Sequence, residues 1–352
     1  MTIEFLKRLL AAPGPSTQEV IPARVWREEA SKFADEVRAD VRGNSFAILN
    51  GVNGGAPRVL LAGHIDEIGL IVSHIDDDGF LWFAGVGGWD AQVLVGQRIR
   101  LIGKQGEIIG VIGKKAIHLM KPEEREKASK IEDLWIDIGA VNKAEVLERV
   151  SVGTVGVIDA AAHDFPHGRV VSRSIDNRIG AYTVLEALRL LSQNRPAATV
   201  AAVATTQEEI SFAGAQTSAF SFEPHASIAV DVTHATDYPN SDKKMRGEAK
   251  LGAGPSLSCG SVNNPVMFKM MTEIAEREGI PYTVKVTPSA SGTDADVIYM
   301  TRGGVASGVV SIPNRYMHSP NEMIQMSDVE NAAKLIAAFV RSLTTETDFV
   351  PR

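Results

Sequence analysis

Three short apolar runs in this chain end directly in acidic or imidazole side chains, and that coincidence constrains the fold more than any other feature. Val59, Leu60, Leu61 and Ala62 run into His64 and Asp66; residues 199–206 run into Gln207, Glu208 and Glu209; Ile228, Ala229 and Val230 run into Asp231. Continuous apolar runs of this length, bounded by glycine and polar residues, read as strands buried on both faces, and so as parallel strands covered by helices. Functional groups in such sheets collect at the carboxyl ends of the strands. Together with Asp176 and His318, the residues His64, Glu209 and Asp231 make a set of nitrogen and oxygen donors of the kind that holds a metal at a sheet edge.

Helical periodicity alternates with these runs. Residues 179–192 place Ile179, Tyr182, Val184, Leu185, Leu188 and Leu191 largely on one side and end before Pro196; residues 262–279 end in Gly279 and Pro281; residues 327–343 form a third helical stretch. Strand and helix in alternation predict an α/β fold, a mostly parallel central sheet with helices on both faces. The texture changes between about residues 69 and 162. Short strands (70–74, 80–83, 98–102, 107–112) are separated by tight turns such as Asp76-Asp77-Asp78-Gly79, the signature of a small β-barrel or sandwich. Because α/β texture flanks it, this stretch reads as an inserted β domain: residues 1–68 and 163–352 form the two parts of a catalytic α/β domain and 69–162 the insertion. Residues 121–130 read as a loop or short surface helix within it.

Composition narrows the function. An apolar fraction of 44% over 352 residues supplies a full globular core, while a formal net charge of -7 without any Lys/Arg block leaves no electrostatic footprint for nucleic acid. The single cysteine, Cys259, excludes an intramolecular disulfide and a cysteine zinc cluster, and suits a reducing cytoplasm. Phe5, Leu6, Leu9 and Leu10, with charges between them, read as an amphipathic helix rather than a signal peptide. No run is long enough to span a membrane.

Each candidate site residue has a plain structural reading beside the chemical one. Asp66 can orient His64 from its other ring nitrogen, or the pair can be a locally bonded loop. Adjacent side chains on an extended backbone point to opposite sides, so of Glu208 and Glu209 one can hold metal while the other takes a proton from water; equally, both can be solvated groups that begin a helix. Asp176, before the helical stretch at 179, can cap that helix or bridge two ions through its two oxygens. Asp231 and His318, taken singly, are as well explained by structure as by ligation.

The segments Ala62-Gly63-His64-Ile65-Asp66-Glu67-Ile68-Gly69, Ser174-Ile175-Asp176-Asn177-Arg178, Gln207-Glu208-Glu209, Ala229-Val230-Asp231, Ser291-Gly292-Thr293-Asp294-Ala295 and Arg315-Tyr316-Met317-His318-Ser319-Pro320 occur in an order that resembles the M42 metallopeptidases, the glutamyl-aminopeptidase-like or TET aminopeptidases. The resemblance covers nearly the whole chain, including the inserted β domain. It implies two divalent ions, Zn, Co or Mn, with His64 and Asp231 on one, Glu209 and His318 on the other, and Asp176 between them. Glu208 is then the general base and Asp66 the partner of His64. Ser291, Gly292, Thr293 and Asp294, whose small size permits close backbone approach, are candidates to line the substrate pocket, with Arg315 a further candidate. The implied activity is removal of N-terminal residues from short peptides, in a cytoplasmic homododecamer built from dimers through the β domain.

Other features rank lower. His163 and His167 flank Pro166 and precede Gly168, which suits a loop at the domain junction; Gly85, Gly87 and Gly88 are too irregular for a phosphate loop. A related carboxypeptidase or deacylase is the runner-up activity. A glycoside hydrolase, an endoglucanase-type label, fits poorly because its chemistry needs neither His64 nor His318. A silent assembly or peptide-binding protein leaves the donor set without a purpose. Whether Arg302 or Arg315 reaches the pocket to select an acidic N-terminal residue is not encoded locally. Phe80, Leu81, Trp82, Phe83 and Trp89 are more aromatic and apolar surface than a small β domain easily buries, unless they fill its own core.

Overall fold

The buried runs form the centre of an eight-stranded sheet. The computed structural model describes the backbone of residues 1–352 and every side chain except that of Arg246. In spatial order the strands are Glu36–Ala39, Ser45–Leu49, Thr199–Thr205, Arg58–His64, Ala226–His234, Ala306–Asn314, Ser256–Cys259 and Thr283–Val286. The four central strands are mutually parallel, and antiparallel pairs frame them on both sides. Alternate side chains serve opposite faces. Val59, Leu61, Val200 and Ala202 join the core beneath Ile3–Ala11, Ile175–Gln193 and Met326–Ser342. Leu60, Ala62, Ala201 and Val203 pack with Ala215, Ala219 and Phe222 of Ala213–Phe222 on the other face.

Helix boundaries follow local chemistry. The helix Pro265–Glu278 starts where the Asn264 side chain accepts from the Val266 and Met267 amides at 2.9 and 3.1 Å, and stops at Gly279 in the left-handed conformation, φ +65°. Such an N-cap contributes about 1 kcal/mol. Two further helices are Val20–Ala30, which buries Pro22, Ala23, Trp26 and Ala30, and Ala213–Phe222, which has no clear amphipathic stripe and is rich in small residues. No helix among the described residues is long and apolar enough to cross a membrane.

Residues 69–158 carry a closed six-stranded barrel, ordered Gly69–Ile75, Leu81–Val86, Trp135–Asp137, Gly106–Gly113, Arg98–Gly103 and Val155–Ile158. Leu81 and Phe83 are in its core. Phe80 and Trp82 pack on Trp135, with ring centroids 6.2 and 6.4 Å apart, and Trp89 donates from its indole to the Gly69 carbonyl at 2.8 Å. The aromatic run is therefore largely satisfied within the chain. Residues 122–125 form a short surface helix. The segment at 163–168, expected as a loop, is instead an exposed hairpin: His163–Phe165 pairs with Arg169–Ser172, which continues onto Glu322–Gln325. His163–Phe165 is the edge strand of this small sheet, and none of its three residues is buried.

The sheet and its first long helix approach so closely that glycine is needed on both sides. A Cβ on Gly63 would lie 2.5 Å from the Gly180 carbonyl carbon and 2.6 Å from the Ala181 nitrogen. Backbone cannot yield as a side chain would, so Gly63→Ala is expected to destabilise the fold by about 1–3 kcal/mol. Denaturant unfolding reads this as a lowered midpoint; an unchanged midpoint would show that the helix moves freely.

Candidate active site

Parallel register brings the donors together. Thr205 pairs with His64, and Ala229 pairs with Ala62, so two residues further on Asp231 reaches the level of His64 at the carboxyl end of the sheet. Asp176 arrives from the opening turn of the helix Ile175–Gln193, where the backbone leaves helical geometry at Asp176 and Asn177. The Asn177 side chain fastens that turn to the strand leading into Asp231, donating to the Val230 carbonyl at 2.8 Å and accepting from the Gly180 amide at 3.0 Å. Asp176 is therefore not a helix cap.

Two clusters of donor atoms result, His64 with Asp176 and Asp231, and Asp176 with Glu209 and His318; within each, the atoms lie within 4.8 Å of one another. Asp176 Oδ1 is 3.2 Å from His64 Nε2, and its Oδ2 is 3.4 Å from His318 Nε2. Asp231 Oδ1 stands 3.9 Å from His64 Nε2, and Glu209 Oε2 3.5 Å from His318 Nε2. Glu208 Oε2 sits 3.6 Å from His64 Nε2. The two halves differ in setting. His64 is 1% exposed at the end of a central strand, whereas His318 is 35% exposed on a loop.

Glu208 and Glu209 do not continue an extended strand. Gln207 takes the left-handed conformation and Glu208–Ser211 is one helical turn. Carboxylates from elsewhere cap it. Asp66 accepts from the Glu208 and Glu209 amides at 3.1 and 3.3 Å, and Glu19 accepts from the Gln207 amide at 3.2 Å. Three successive amides at a helix start form an anion-binding concavity. Both glutamate side chains consequently converge on the site instead of pointing apart. Asp66 also lies 3.4 Å from His64 Nδ1 and accepts from Ser16 Oγ at 2.6 Å.

Crowding sets the electrostatics. Burial, reinforced by the Asp176 charge, pushes both Glu209 and Asp231 up to about 8. Burial, with Asp231, Asp294 and Glu209 nearby, raises Glu208 well above the carboxylate range. His318 rises to about 9 through its contact with Asp176. Glu209 Oε1 is buried without a hydrogen-bond partner among the described residues. Converging carboxylates with two imidazoles and an orphaned buried oxygen favour added positive charge, and divalent metal on nitrogen and oxygen donors fits that requirement.

Glu322 and Glu19 belong to no motif in the sequence. Glu322 is buried, and its oxygens accept from the Asp176 amide at 2.9 Å and the His318 amide at 3.0 Å, so one carboxylate positions residues of both clusters. Only its place four residues after His318 could have drawn attention to it. Beside the donors, a cavity of about 290 Å³ is walled by Phe212, Val232, Gly292 and Met317. Ser291 bonds Thr293 and Asp296 at 2.8 and 2.7 Å. Thr293 and Asp294 are buried, and Asp294 Oδ2 accepts from Thr205 at 2.5 Å. Arg315 is engaged by Asp237 at 2.6 Å. Arg302 pairs with Glu223 and lines a separate cavity with Arg58, at the amino-terminal end of the central strands. Neither arginine lines the cleft, and neither His163 nor His167 joins a donor cluster.

Comparison with known proteins agrees with this architecture. The family model described as M42 glutamyl aminopeptidase matches residues 43–335. A lysyl aminopeptidase of Pyrococcus furiosus is 37% identical over 352 residues, 99% of each chain. Among solved structures, the TET aminopeptidase of a marine sediment Thaumarchaeota archaeon superposes with a TM-score of 0.92 at 34% identity, over 97% of this chain and 96% of that one. The Pyrococcus horikoshii TET1 peptidase, which can assemble into a tetrahedron or a large octahedral shell, superposes with a TM-score of 0.85 at 30% identity, over 97% and 99%. With the fold, the ordered donor set and these similarities in agreement, the chain belongs to the M42 glutamyl aminopeptidase family and is a peptide hydrolase.

Proposed function

We propose that this protein is a dinuclear metal aminopeptidase that removes N-terminal residues from short peptides. The supporting observation is Asp176, whose two oxygens face two different imidazoles, each with a further carboxylate beside it. His64 and Asp231 would hold one ion, Glu209 and His318 the other, with Asp176 shared; Zn, Co and Mn all suit these donors. When bound, the ions would polarise the scissile carbonyl and lower the pKa of water.

The chain's own residues supply the rest. Glu208, 3.6 Å from His64 Nε2, accepts the proton of the attacking water on a carboxylate oxygen and returns one to the leaving amine. Asp66 keeps His64 oriented and, through two amides, holds Glu208 in place. Phe212, Val232 and Met317 offer apolar walls to the N-terminal side chain. Residues 1–68 and 163–352 carry the chemistry, with 69–162 an inserted unit. Following the assemblies of its structural relatives, the protein self-associates, with a cytoplasmic homododecamer built from dimers as the form and the barrel at subunit contacts. Because the barrel's aromatics pack within the chain, this part of the reading rests on the relatives.

The direct test is a panel of free-amine and N-acetylated short peptides. Only free-amine substrates are expected to be cleaved, and a chelator is expected to abolish turnover until divalent metal is restored. Cleavage of acetylated peptides, or activity indifferent to chelation, would replace this reading with a deacylase or a metal-free hydrolase. Glu208→Gln is expected to keep its metal content and lose about 10²–10⁴-fold in turnover; near-normal rates would remove Glu208 from the base role. Asp176→Ala should lose both ions where Asp231→Ala loses mainly one, and elemental analysis showing equal losses would refute the shared-ligand assignment.

A further inference from the structure

The glycines at 87 and 88 form no phosphate loop, but they lie against the more exposed half of the metal centre. Gly87 has φ +76°, and a Cβ there would stand 2.6 Å from Ile68 Cγ2 and 3.4 Å from Glu209 Oε2. A Cβ on Gly88 would stand 3.2 Å from Nδ1 and 3.4 Å from Cε1 of His318. The turn's backbone thus lies on one edge of an imidazole whose other edge, Nε2, faces Asp176 and Glu209. Trp89 anchors the turn where the chain enters the barrel, through its indole bond to the Gly69 carbonyl. Its ring shares with Asp176, Glu209, His318 and Pro320 a residual space of about 10 Å³, at the lower limit for a single water.

We infer that the Gly87-Gly88-Trp89 turn of the barrel is a positioning element for the Glu209–His318 half of the metal centre. The inference rests on the dinuclear reading above. His64 needs no such support, because a central strand fixes its backbone and burial its ring. His318 sits on a loop with φ +59° and is held from within the catalytic unit at its amide, by Glu322. The barrel turn bounds the ring on its Nδ1 edge, the edge that Asp176 and Glu209 do not face. A side chain at position 88 displaces the imidazole by a few tenths of an ångström. That is comparable to the tolerance of about 0.2 Å on metal–ligand distances.

The test is metal binding, independent of turnover. Metal-free protein is titrated with Co²⁺ and followed by visible absorption, with elemental analysis after desalting, for the wild type, Gly88→Ala, Gly88→Val and, as a reference for loss of this half-site, His318→Ala. The wild type is expected to bind two ions. Gly88→Val is expected to bind one with wild-type affinity and the other about 10–100-fold more weakly, losing the absorption that His318→Ala loses, with Gly88→Ala intermediate. Circular dichroism verifies folding, and if the valine variant fails to fold, the alanine variant decides by the same readout. Two ions bound with wild-type affinity by the folded variants, or equal weakening of both, overturns the inference. Fewer than two ions on the wild type would instead defeat the dinuclear reading itself.

Discussion

Glu67 is the contact on which the geometry of the site depends. Its carboxylate lies between Arg173 and Arg178, and its Oε1 also accepts from the Gly14 amide at 3.1 Å. Arg178 is fully buried and donates to the carbonyls of Leu9, Leu10, Ala12 and Ile65. The segment carrying His64 and Asp66, the turn carrying Asp176 and the end of the N-terminal helix are thus joined in one network. Burial lowers the Arg178 guanidinium to about 10 against the opposing pull of Glu67, so the charge persists at neutral pH. Removing one partner from such a buried arrangement costs about 3–5 kcal/mol, because the other charge is left uncompensated.

Around that frame the donors are placed by backbone amides more than by side-chain contacts. Asp66 and Glu19 together accept from three consecutive amides at 207–209, and Glu322 accepts from those of Asp176 and His318. An amide is fixed by the fold, so each carboxylate transmits the geometry of the sheet to the residue it holds. The cost is a crowd of buried negative groups, which folding alone would not favour. Ligation of cations gives this crowding a chemical purpose.

The barrel contributes to the site as well as to the surface. A Cβ on Gly88 of its turn would stand 3.2 Å from His318 Nδ1, and Trp89 borders the same small space as His318 and Glu209, so the barrel lies close against that half of the site. Its aromatic residues divide between its core, the Trp135 cluster and the junction at Gly69. A count of aromatic residues cannot distinguish those destinations, since each depends on which strand faces lie inward once the barrel closes.

Linear pattern alone pointed to three of the four central parallel strands, three of the long helices and the short-strand texture of the barrel, because burial on two faces or one leaves a period in the sequence. It also singled out His64, Asp176, Glu209, Asp231 and His318 as donors beside apolar runs, although the strand carrying Asp231 continues past it to His234. Only tertiary structure decided that Glu208 and Glu209 begin a helical turn, since the carboxylates capping that turn come from positions 19 and 66. It likewise revealed Glu322 and Gly88, and tied Arg315 to Asp237 instead of the cleft. In each case the deciding partner lies on a different segment of the chain, and neither local propensity nor periodicity carries information about a hydrogen bond or steric contact formed between segments.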